Sequence, residues 1–596
     1  MTSSGRFHHV HQDGGLAQEG VPLLRSGLQE EDLPSSLSAS DLEDSASTAA
    51  HRRRALPQQQ QQQQRQGSKK RTCKVIVGAS VMALVFIIAL GGVALTLSFF
   101  LTSTHGKHEA EQLGYFLHIS DIHYDPLYDA NYNATHWCRE PTYRLMNPTA
   151  NNISSAATDA NERYSFGRYG CDPPFKLVLS ALEGMVAVHH SPDFVLITGD
   201  NNGHYLPKEQ LAKETLTNVT NAIMKAFPNT TVLPVLGNND LWPDYYIPYG
   251  PSDWMDWLTS LWSPWLNEEQ QKTFRNGGYY SADIKGGKLK VIALNSILYS
   301  VEHIPNITAT ISEPSPLRKL PEDPNQQFQW LSDQLALARS NQQAYLSSRH
   351  SLLFFSLTRL LYYYFWFVHT FVIYCRVYIA GHIPYGVNEY DDKPAWYQPY
   401  EDRYLSLVTE YADVIRNQLF AHYHTDNFRV NIAAKNATPP QPSISLMSSI
   451  SPAHFNNPSF RLYSYSRSSS QIVDYIHYYA DLHDANILKK AEWVPEYRFR
   501  EAYNATAVTT ENYLQIYDTF HLNSKSYRQY MNYLYTNYQI FRSETYCAIG
   551  HLSVEDYSKC LKENADDLLA INRVETLAER KRFIAQRKRM LRELMA

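Results

Sequence analysis

The chain has 596 residues, long enough for several domains of roughly 100–200 residues each. Its formal net charge of −5 is unlike the basic character of nucleic-acid-binding domains, so no nucleic-acid partner is expected. Contents of 44% hydrophobic and 13% aromatic residues exclude a wholly disordered chain, and six cysteines are too few for a small disulfide-rich scaffold.

A hydrophobic segment at 75–101 predicts an N-terminal transmembrane helix. Its 27 residues carry no charge, and about 20 apolar residues are enough to span a bilayer. Four Lys or Arg residues lie between 69 and 74, whereas the nearest one after the segment is Lys107. The positive-inside rule therefore predicts a single-pass type II membrane protein whose chain beyond the segment is luminal or extracellular.

The residues before this helix, 1–74, are predicted to be a disordered cytosolic tail. They contain a glutamine run at Gln58–Gln64 and very few aromatic residues. The stretch Glu19–Leu24 resembles an acidic dileucine signal, which would recruit sorting adaptors and direct the protein to a vacuole or lysosome-like membrane. The alternative is a solvated tail without a partner.

Two features beyond the helix agree with a luminal location. The N-glycosylation sequons, all beyond 101, are at Asn133, Asn152, Asn218, Asn229, Asn306, Asn436 and Asn504. Apart from Cys375, the luminal cysteines form two local pairs, Cys138/Cys171 and Cys547/Cys560. In an oxidising compartment, two disulfides are the expected state.

Five short apolar runs, each predicted to be a buried strand, end in polar residues. The runs are Tyr115–Ile119, Phe194–Thr198, Val232–Leu236, Val377–Ile379 and Gln418–Phe420. The polar residues after them are, in the same order, Asp121 and His123, Asp200 and His204, Asn238 and Asn239, His382, and His422 and His424. Helical stretches between the runs indicate an α/β fold, in which these side chains can converge at the carboxyl ends of the strands.

The order Asp-x-His, Gly-Asp, Gly-Asn, Gly-His, x-His-x-His resembles the calcineurin-like metallophosphoesterase superfamily. The resemblance implies a β-sandwich flanked by helices in αββα layers, with two divalent metal ions drawn from Zn, Mn, Fe, Co and Mg. The mixed carboxylate, imidazole and amide set suits such ions better than a soft thiolate-bound ion. Each of these motifs alone would more often have a structural role than bind a metal, but all five occur in the family order.

Carried over residue by residue, the resemblance assigns one metal to Asp121, His123, Asp200 and His424. It assigns the second to Asp200, Asn238, His382 and His422, with Asp200 bridging. Two metals about 3.5–4 Å apart can clamp a phosphoryl group during hydrolysis.

Within the superfamily, further segments resemble the branch of acid sphingomyelinases and vacuolar endopolyphosphatases. They are HISDIHYDP at 118–126, GDNNGH at 199–204, GHIP at 381–384, NNPSFRLY at 456–463 and DYIHYY at 474–479. Asn239 departs from most members, which have histidine there, and resembles the endopolyphosphatases. A second departure is Ala421 in place of glycine, which costs little unless that backbone needs a positive φ.

The asparagine at 239 changes the expected proton chemistry. His204 becomes the remaining histidine placed to protonate a leaving oxygen, and its alternative is an ordinary loop histidine. Asn239 is expected to donate a hydrogen bond to a phosphoryl oxygen.

Two further segments complete the predicted organisation. Residues 113–487 form the catalytic domain and 488–596 a helical C-terminal region that ends in a basic stretch at 579–592. The segment 344–375 contains no Gly, Pro, Asp or Glu and is long enough for a second membrane helix. A crossing there, however, would place His382 on the opposite side of the membrane from Asp121. We interpret the segment as a translated intron that interrupts the connection from an amphipathic helix at 331–343 to the strand at 376. An interfacial membrane loop is the alternative.

The sequence thus predicts a dinuclear-metal hydrolase of phosphoester or phosphoanhydride bonds in an acidic lumen. The first hypothesis is an endopolyphosphatase that cleaves inorganic polyphosphate. The alternative is an acid sphingomyelinase-like phosphodiesterase acting on phospholipid or nucleotide substrates. A third hypothesis, an inactive luminal binding protein, is disfavoured by the complete ligand set.

Overall fold

Two six-stranded sheets form the centre of the fold; the first contains three neighbouring parallel strands and the second contains four. The computed structural model describes residues 113–132, 134–140, 157–284, 288–305, 320–355, 376–520, 524–536 and 544–564. All of these residues belong to one compact unit, Lys107–Ala596.

The strands of the described residues have the following bounds and order in the sheets. They are β1 (Leu113–Ile119), β2 (Phe194–Ile197), β3 (Thr231–Pro234), β4 (Tyr280–Asp283), β5 (Leu289–Ala293), β6 (Arg376–Ala380), β7 (Val387–Asn388), β8 (Lys393–Pro394), β9 (Ile415–Phe420), β10 (Asn427–Arg429), β11 (Ile444–Leu446), β12 (Ser459–Ser466), β13 (Ile472–Tyr479) and β14 (Val494–Arg498). The first sheet has the order β14-β13-β12-β1-β2-β3 and the second the order β10-β11-β9-β6-β5-β4. Each of the five predicted apolar runs therefore lies in or overlaps a strand: β1, β2, β3, β6 and β9.

Helices flank the two sheets. They are α1 (Ala157–Arg163), α2 (Phe175–Val188), α3 (Glu209–Ala226), α4 (Asp253–Trp262), α5 (Glu268–Gly277), α6 (Gln327–Phe355), α7 (Gln398–Glu410), α8 (Leu482–Leu488), α9 (Phe499–Tyr503), α10 (Thr510–Asp518), α11 (Lys525–Leu534), α12 (Glu544–Gly550) and α13 (Val554–Glu563).

Alternation along β1 shows how the layers form. Phe116 packs between the sheets, where its ring centroid is 6.0 Å from that of Tyr378 in β6. The next residue, Leu117, points to the opposite face and joins a core with Leu177 and Val178 of α2. On the second sheet, α6 packs against β6 and its Leu331 is buried. These layers confirm the predicted α/β sandwich flanked by helices.

The C-terminal region is helical from α9 to α13, as predicted, but it also contains a strand. β14 lies inside 488–596 and pairs with β13, so it extends the first sheet. The predicted helix end near Gln343 is wrong, because α6 continues to Phe355 and enters the anomalous segment. The strand on the far side of that segment begins at Arg376, as predicted.

Both predicted disulfides are present, Cys138–Cys171 and Cys547–Cys560. Among the described residues, no helix is long and apolar enough to cross a membrane. The predicted tail at 1–74, the hydrophobic segment at 75–101 and the basic stretch at 579–592 lie outside those residues, as does 356–375.

Candidate metal centre

All seven predicted metal ligands follow the carboxyl ends of strands. Asp121 and His123 follow β1, Asp200 follows β2, Asn238 follows β3, His382 follows β6, and His422 and His424 follow β9. His422 is half-buried and the other six side chains are buried. Because strands of both sheets end at this edge, residues from distant parts of the chain meet there.

Five of these ligands have a left-handed backbone, which non-glycine residues rarely adopt. They are Asp121 (φ 48°), His123 (φ 46°), Asp200 (φ 57°), His422 (φ 76°) and His424 (φ 57°). Such conformations cost free energy and persist only where the surrounding structure enforces them, which is common at functional sites. Ala421 has no positive φ, so alanine is tolerated at that position, as predicted.

Two glycines allow the loops after β2 and β3 to approach each other. A Cβ atom on Gly237 would lie 2.2 Å from the backbone nitrogen of Asp200. Gly199 has φ +95°, and a Cβ there would lie 2.6 Å from the Cα of Gly237. Glycine therefore occupies the first position of the Gly-Asp and Gly-Asn dipeptides because a side chain would not fit between the two loops.

The first group of candidate ligands contains Asp121, His123, Asp200 and His424. His123 Nε2 lies 3.5 Å from Asp200 Oδ2 and 3.1 Å from His424 Nε2. His424 Nε2 lies 3.4 Å from Asp121 Oδ1. Each of the four side chains therefore lies within 3.5 Å of another member of the group, close enough for them to hold one metal ion together.

The second group contains Asp200, Asn238, His382 and His422. His382 Nε2 is 3.2 Å from Asp200 Oδ2, 3.1 Å from Asn238 Oδ1 and 3.3 Å from His422 Nδ1. Asp200 Oδ2 therefore contacts both groups, which is the position of a bridging ligand.

Two histidines are oriented by hydrogen bonds from Nδ1, the ring nitrogen that faces away from the site, and this orientation suits metal binding. His123 Nδ1 donates to the carbonyl oxygen of Asn202 at 2.9 Å, and His382 Nδ1 donates to that of Thr198 at 2.6 Å. In the neutral ring this leaves the Nε2 lone pair facing the site, as metal-bound histidines require. Asp121 Oδ1 is buried and accepts no hydrogen bond, so a cation would satisfy it.

Charges in the metal-free site alter several pKa values. Burial lowers the pKa of His123, but the carboxylates of Asp121 and Asp200 outweigh it and raise that pKa to about 9. His382 behaves likewise, because Asp200 outweighs burial and raises its pKa to about 9. Burial and the nearby charge of His382 lower the pKa of His422 to about 3. Without metal, protons on two of the histidines thus offset the carboxylates.

His204 lies at the edge of this centre. Its ring stacks on that of His123 with centroids 4.0 Å apart, and its side chain is 15% exposed. Both oxygens of the buried Asp172 lie 3.0 Å from Nδ1. Since Nδ1 is held by this carboxylate, Nε2 is the nitrogen available to a substrate.

Asn239 contacts the bridging carboxylate. Its backbone nitrogen donates to Asp200 Oδ1 and its Nδ2 donates to Asp200 Oδ2, both at 2.8 Å. Its proposed hydrogen bond to a phosphoryl oxygen stays a prediction. The next residue, Asp240, was not identified from the sequence. It accepts hydrogen bonds from the backbone nitrogens of Asp200, Asn201 and Gly237, so it ties the two loops together.

Three other residues near the centre were also missed. Asp172 holds His204, Arg139 donates to the carbonyl oxygen of His204 at 2.6 Å, and the ring centroid of His454 is 4.3 Å from that of His424. Their positions in the sequence are the signals that could have indicated these residues. Asp172 and Arg139 each follow a paired cysteine, and His454 lies two residues before the NNPSFRLY segment.

A cleft of about 840 Å³ opens over the two ligand groups. Its lining beyond the metal ligands, His204 and Asn239 consists of Tyr205, Leu206, Trp242, Pro243, Asp244, Tyr245, Glu302, Asn388, Tyr390, Tyr423 and His454. A side lobe of about 400 Å³ shares Tyr245, Glu302, Asn388, His422 and Tyr423 with the cleft.

Comparisons with known proteins agree with this geometry. Residues 114–385 match the family described as calcineurin-like phosphoesterase, and residues 436–567 match the acid sphingomyelin phosphodiesterase C-terminal region. The acid sphingomyelinase-like phosphodiesterase 3b of Mus musculus is 30% identical over 477 residues, which cover 76% of this chain and 90% of that protein. The chain belongs to the acid sphingomyelinase-like branch of the calcineurin-like phosphoesterases.

Other members of the branch match over a similar length. The cyclic GMP-AMP phosphodiesterase SMPDL3A of Homo sapiens is 28% identical over 77% of this chain and 92% of its own. The sphingomyelinase phosphodiesterase C of Dictyostelium discoideum is 28% identical over 76% and 93%. The predicted family resemblance is confirmed, and with it a hydrolase of phosphoesters whose family uses divalent metals.

Proposed function

We propose that this chain is a metal-dependent phosphodiesterase that cleaves one ester bond of a phospholipid or nucleotide phosphodiester. The lining of the cleft carries the proposal. Aromatic side chains such as Tyr205, Trp242 and Tyr245 lie beside the carboxylates of Asp244 and Glu302, and no described lining residue of this cleft is Lys or Arg. A substrate with one phosphate and an aromatic or aliphatic part fits this surface.

The same lining disfavours the first hypothesis, endopolyphosphatase activity. A long polyphosphate would need cations along its path, because its charge repels carboxylates. In the side lobe, Lys393 is paired with Asp391 at 3.1 Å. The support for polyphosphate is the resemblance of Asn239 to the endopolyphosphatases, whereas the three relatives compared are named phosphodiesterases.

When bound, the two metal ions would supply the positive charge that holds the phosphoryl group and activates water for attack. Asp121, His123, Asp200 and His424 would hold one ion, and Asp200, Asn238, His382 and His422 the other.

The chain's own contribution is proton transfer and orientation. The oxygen of water forms a bond to phosphorus while the ester bond to the leaving oxygen breaks, which gives a phosphomonoester and an alcohol. His204 would deliver the proton to the leaving oxygen from Nε2, while Nδ1 remains hydrogen-bonded to Asp172. Asn239 would orient Asp200 through its two hydrogen bonds.

The proposed location is the luminal face of a vacuole or lysosome-like membrane. Both disulfides support an oxidising compartment. The sequon residues Asn218, Asn229, Asn436 and Asn504 are exposed, as glycosylation requires.

A substrate panel tests the activity. The metal-loaded protein would be assayed with sphingomyelin, a cyclic dinucleotide and long-chain polyphosphate, with Asp200→Asn as the inactive control. We expect at least one diester to be cleaved with a kcat/KM far above that for polyphosphate. Polyphosphate as the best substrate would overturn the proposal and restore the endopolyphosphatase hypothesis.

A further inference from the structure

The Cys138–Cys171 disulfide lies directly beside the residues that hold His204. Cys138 precedes Arg139, and Cys171 precedes Asp172. Both cysteines are buried, as are Arg139 and Asp172. The disulfide therefore joins two chain segments that reach His204 from different parts of the sequence.

Asp172 fixes both the backbone and the ring of His204. Its Oδ2 accepts a hydrogen bond from the His204 backbone nitrogen at 2.7 Å. Both of its oxygens lie 3.0 Å from His204 Nδ1, and Oδ1 also accepts from Ser451 Oγ at 3.1 Å. The carboxylate thus determines which way the imidazole faces.

Residues next to Cys138 contact the backbone carbonyl oxygen of His204 and the face of its ring. Arg139 Nη1 donates to the carbonyl oxygen of His204 at 2.6 Å, while its Nε donates to Asp125 at 2.6 Å. Trp137 stacks on the His204 ring with centroids 4.6 Å apart, and the ring of His123 stacks at 4.0 Å. His204 therefore contacts the residue on each side of Cys138.

This segment has little regular structure to hold it in place. Trp137–Arg139 belongs to no helix or strand, and Trp137 and Cys138 both have left-handed backbones with φ 54° and 53°. Cys171 and Asp172 likewise lie outside the helices and strands. The disulfide is the covalent bond that keeps the two segments together next to His204.

We propose that the Cys138–Cys171 disulfide is a positioning element for catalysis, which keeps Trp137, Arg139 and Asp172 around His204. Opening it would slow protonation of the leaving group while the metal ions remain bound. This inference rests on the proposed function of His204. Reduction by a dithiol breaks the S–S bond with two electrons and two protons, forms two cysteine thiols and leaves the dithiol as a disulfide.

The test compares matched pairs of serine substitutions in the full chain. Cys138→Ser/Cys171→Ser opens the disulfide beside His204. Cys547→Ser/Cys560→Ser opens the other one, which packs with Val387 and Tyr557 instead. Each protein would be assayed on a p-nitrophenyl phosphodiester, whose leaving group departs without a proton, and on an alkyl phosphodiester, whose leaving group needs one. Metal content and melting temperature would be measured on the same samples.

We expect the Cys138/Cys171 variant to keep its metal and KM but to lose about 10²-fold in kcat on the alkyl diester, with little loss on the nitrophenyl diester. The Cys547/Cys560 variant should show no such preference. Asp172→Asn, with both disulfides intact, should reproduce the leaving-group effect and so tests the inference if the serine variant does not fold.

Equal losses on both substrates, or a leaving-group effect absent from Asp172→Asn, would overturn the inference. The same leaving-group effect in the Cys547/Cys560 variant would also overturn it. If the unmodified protein cleaves neither diester, the proposed function fails instead, and the two failures are thereby distinguished.

Discussion

His123 and His424 lie 301 positions apart in the chain, yet their Nε2 atoms are 3.1 Å apart. Nδ1 of His123 donates to a backbone carbonyl, so its Nε2 offers a lone pair to the facing imidazole. At this distance the two nitrogens can share a proton or bind one cation between them. A metal ion at this point would join the end of β1 in one sheet to the end of β9 in the other.

Asp200 is the residue on which both ligand groups depend. We expect Asp200→Asn to reduce turnover below detection and to lower the metal content, because the bridging negative charge is lost. Its Oδ2 lies within 3.5 Å of His123 Nε2 and 3.2 Å of His382 Nε2. Metal analysis and kcat on the same preparation check this. Near-normal turnover with full metal occupancy would disprove the dinuclear assignment.

His204 should be separable from the metal ligands. We expect His204→Ala to lower kcat by about 10²–10⁴-fold, as for loss of a general acid, while metal remains bound. The side chain is close enough to His123 and His424 for a ligand role to be considered. Loss of metal from the variant would therefore identify His204 as a ligand or structural residue.

Metal binding should release protons. The pKa values of His123 and His382, about 9 without metal, mean that both are protonated at pH 7, and metal binding requires them neutral. Calorimetric metal titrations at pH 7 in buffers of different ionisation enthalpy should show about two protons released from these residues. Metal affinity should fall as pH falls, so added metal should move the acid limb of activity to lower pH. An acid limb that is indifferent to metal would indicate another group.

The same raised pKa values contribute to the pH dependence of stability in the metal-free protein. A histidine whose pKa is higher when folded contributes stability in full below its unfolded value, about 6.5, and loses that contribution as pH rises through about 9. The melting temperature of the metal-free protein should therefore fall between pH 6.5 and 9, and the metal-loaded protein should not show this decrease.

Gly237 should tolerate no side chain. Gly237→Ala places a Cβ 2.2 Å from the backbone nitrogen and Oδ1 of Asp200, so we expect a loss of about 1–3 kcal/mol or more in unfolding free energy together with reduced metal content. The control is Ala421→Gly, which should cost only about 0.5–1 kcal/mol and keep metal. Equal behaviour of the two variants would contradict the steric role of Gly237.

The positions of the candidate metal ligands at the strand ends could be predicted because each follows an apolar run that had to be buried. β1 and β6 illustrate this, since the runs ending at Ile119 and Ile379 lie in strands whose ends carry Asp121 and His382. The contacts of Asp172, Arg139 and His454 could not be predicted in the same way. These residues lie on loops, and their partners depend on how distant segments pack rather than on local periodicity.

Two element boundaries show a similar limit. α6 continues to Phe355 because the residues after Gln343 lack Gly and Pro, so nothing in the local sequence ends the helix there. β14 was included in a helical region because its five residues carry little hydrophobic pattern, and pairing with β13 determines its conformation.

The anomalous segment yields a separate prediction. Deletion of 344–375 removes the last residues of α6, and the turn before Gln343 would then supply the connection to β6, which usually takes about 2–6 residues. The shortened chain should fold, bind metal and cleave a phosphodiester at least as well as the full sequence. Transcripts that lack the stretch would confirm an intron. If every transcript retains it and its deletion prevents folding, a membrane-associated element must be considered.

Metal reconstitution tests the central claim most directly. The protein would be stripped with a chelator and titrated with a divalent metal while hydrolysis of bis(p-nitrophenyl) phosphate is followed. We predict no turnover without metal and a rise to a plateau at two equivalents per chain, because seven side chains form two ligand groups that share Asp200. Full turnover by the stripped protein, or activity independent of added metal, would contradict the account.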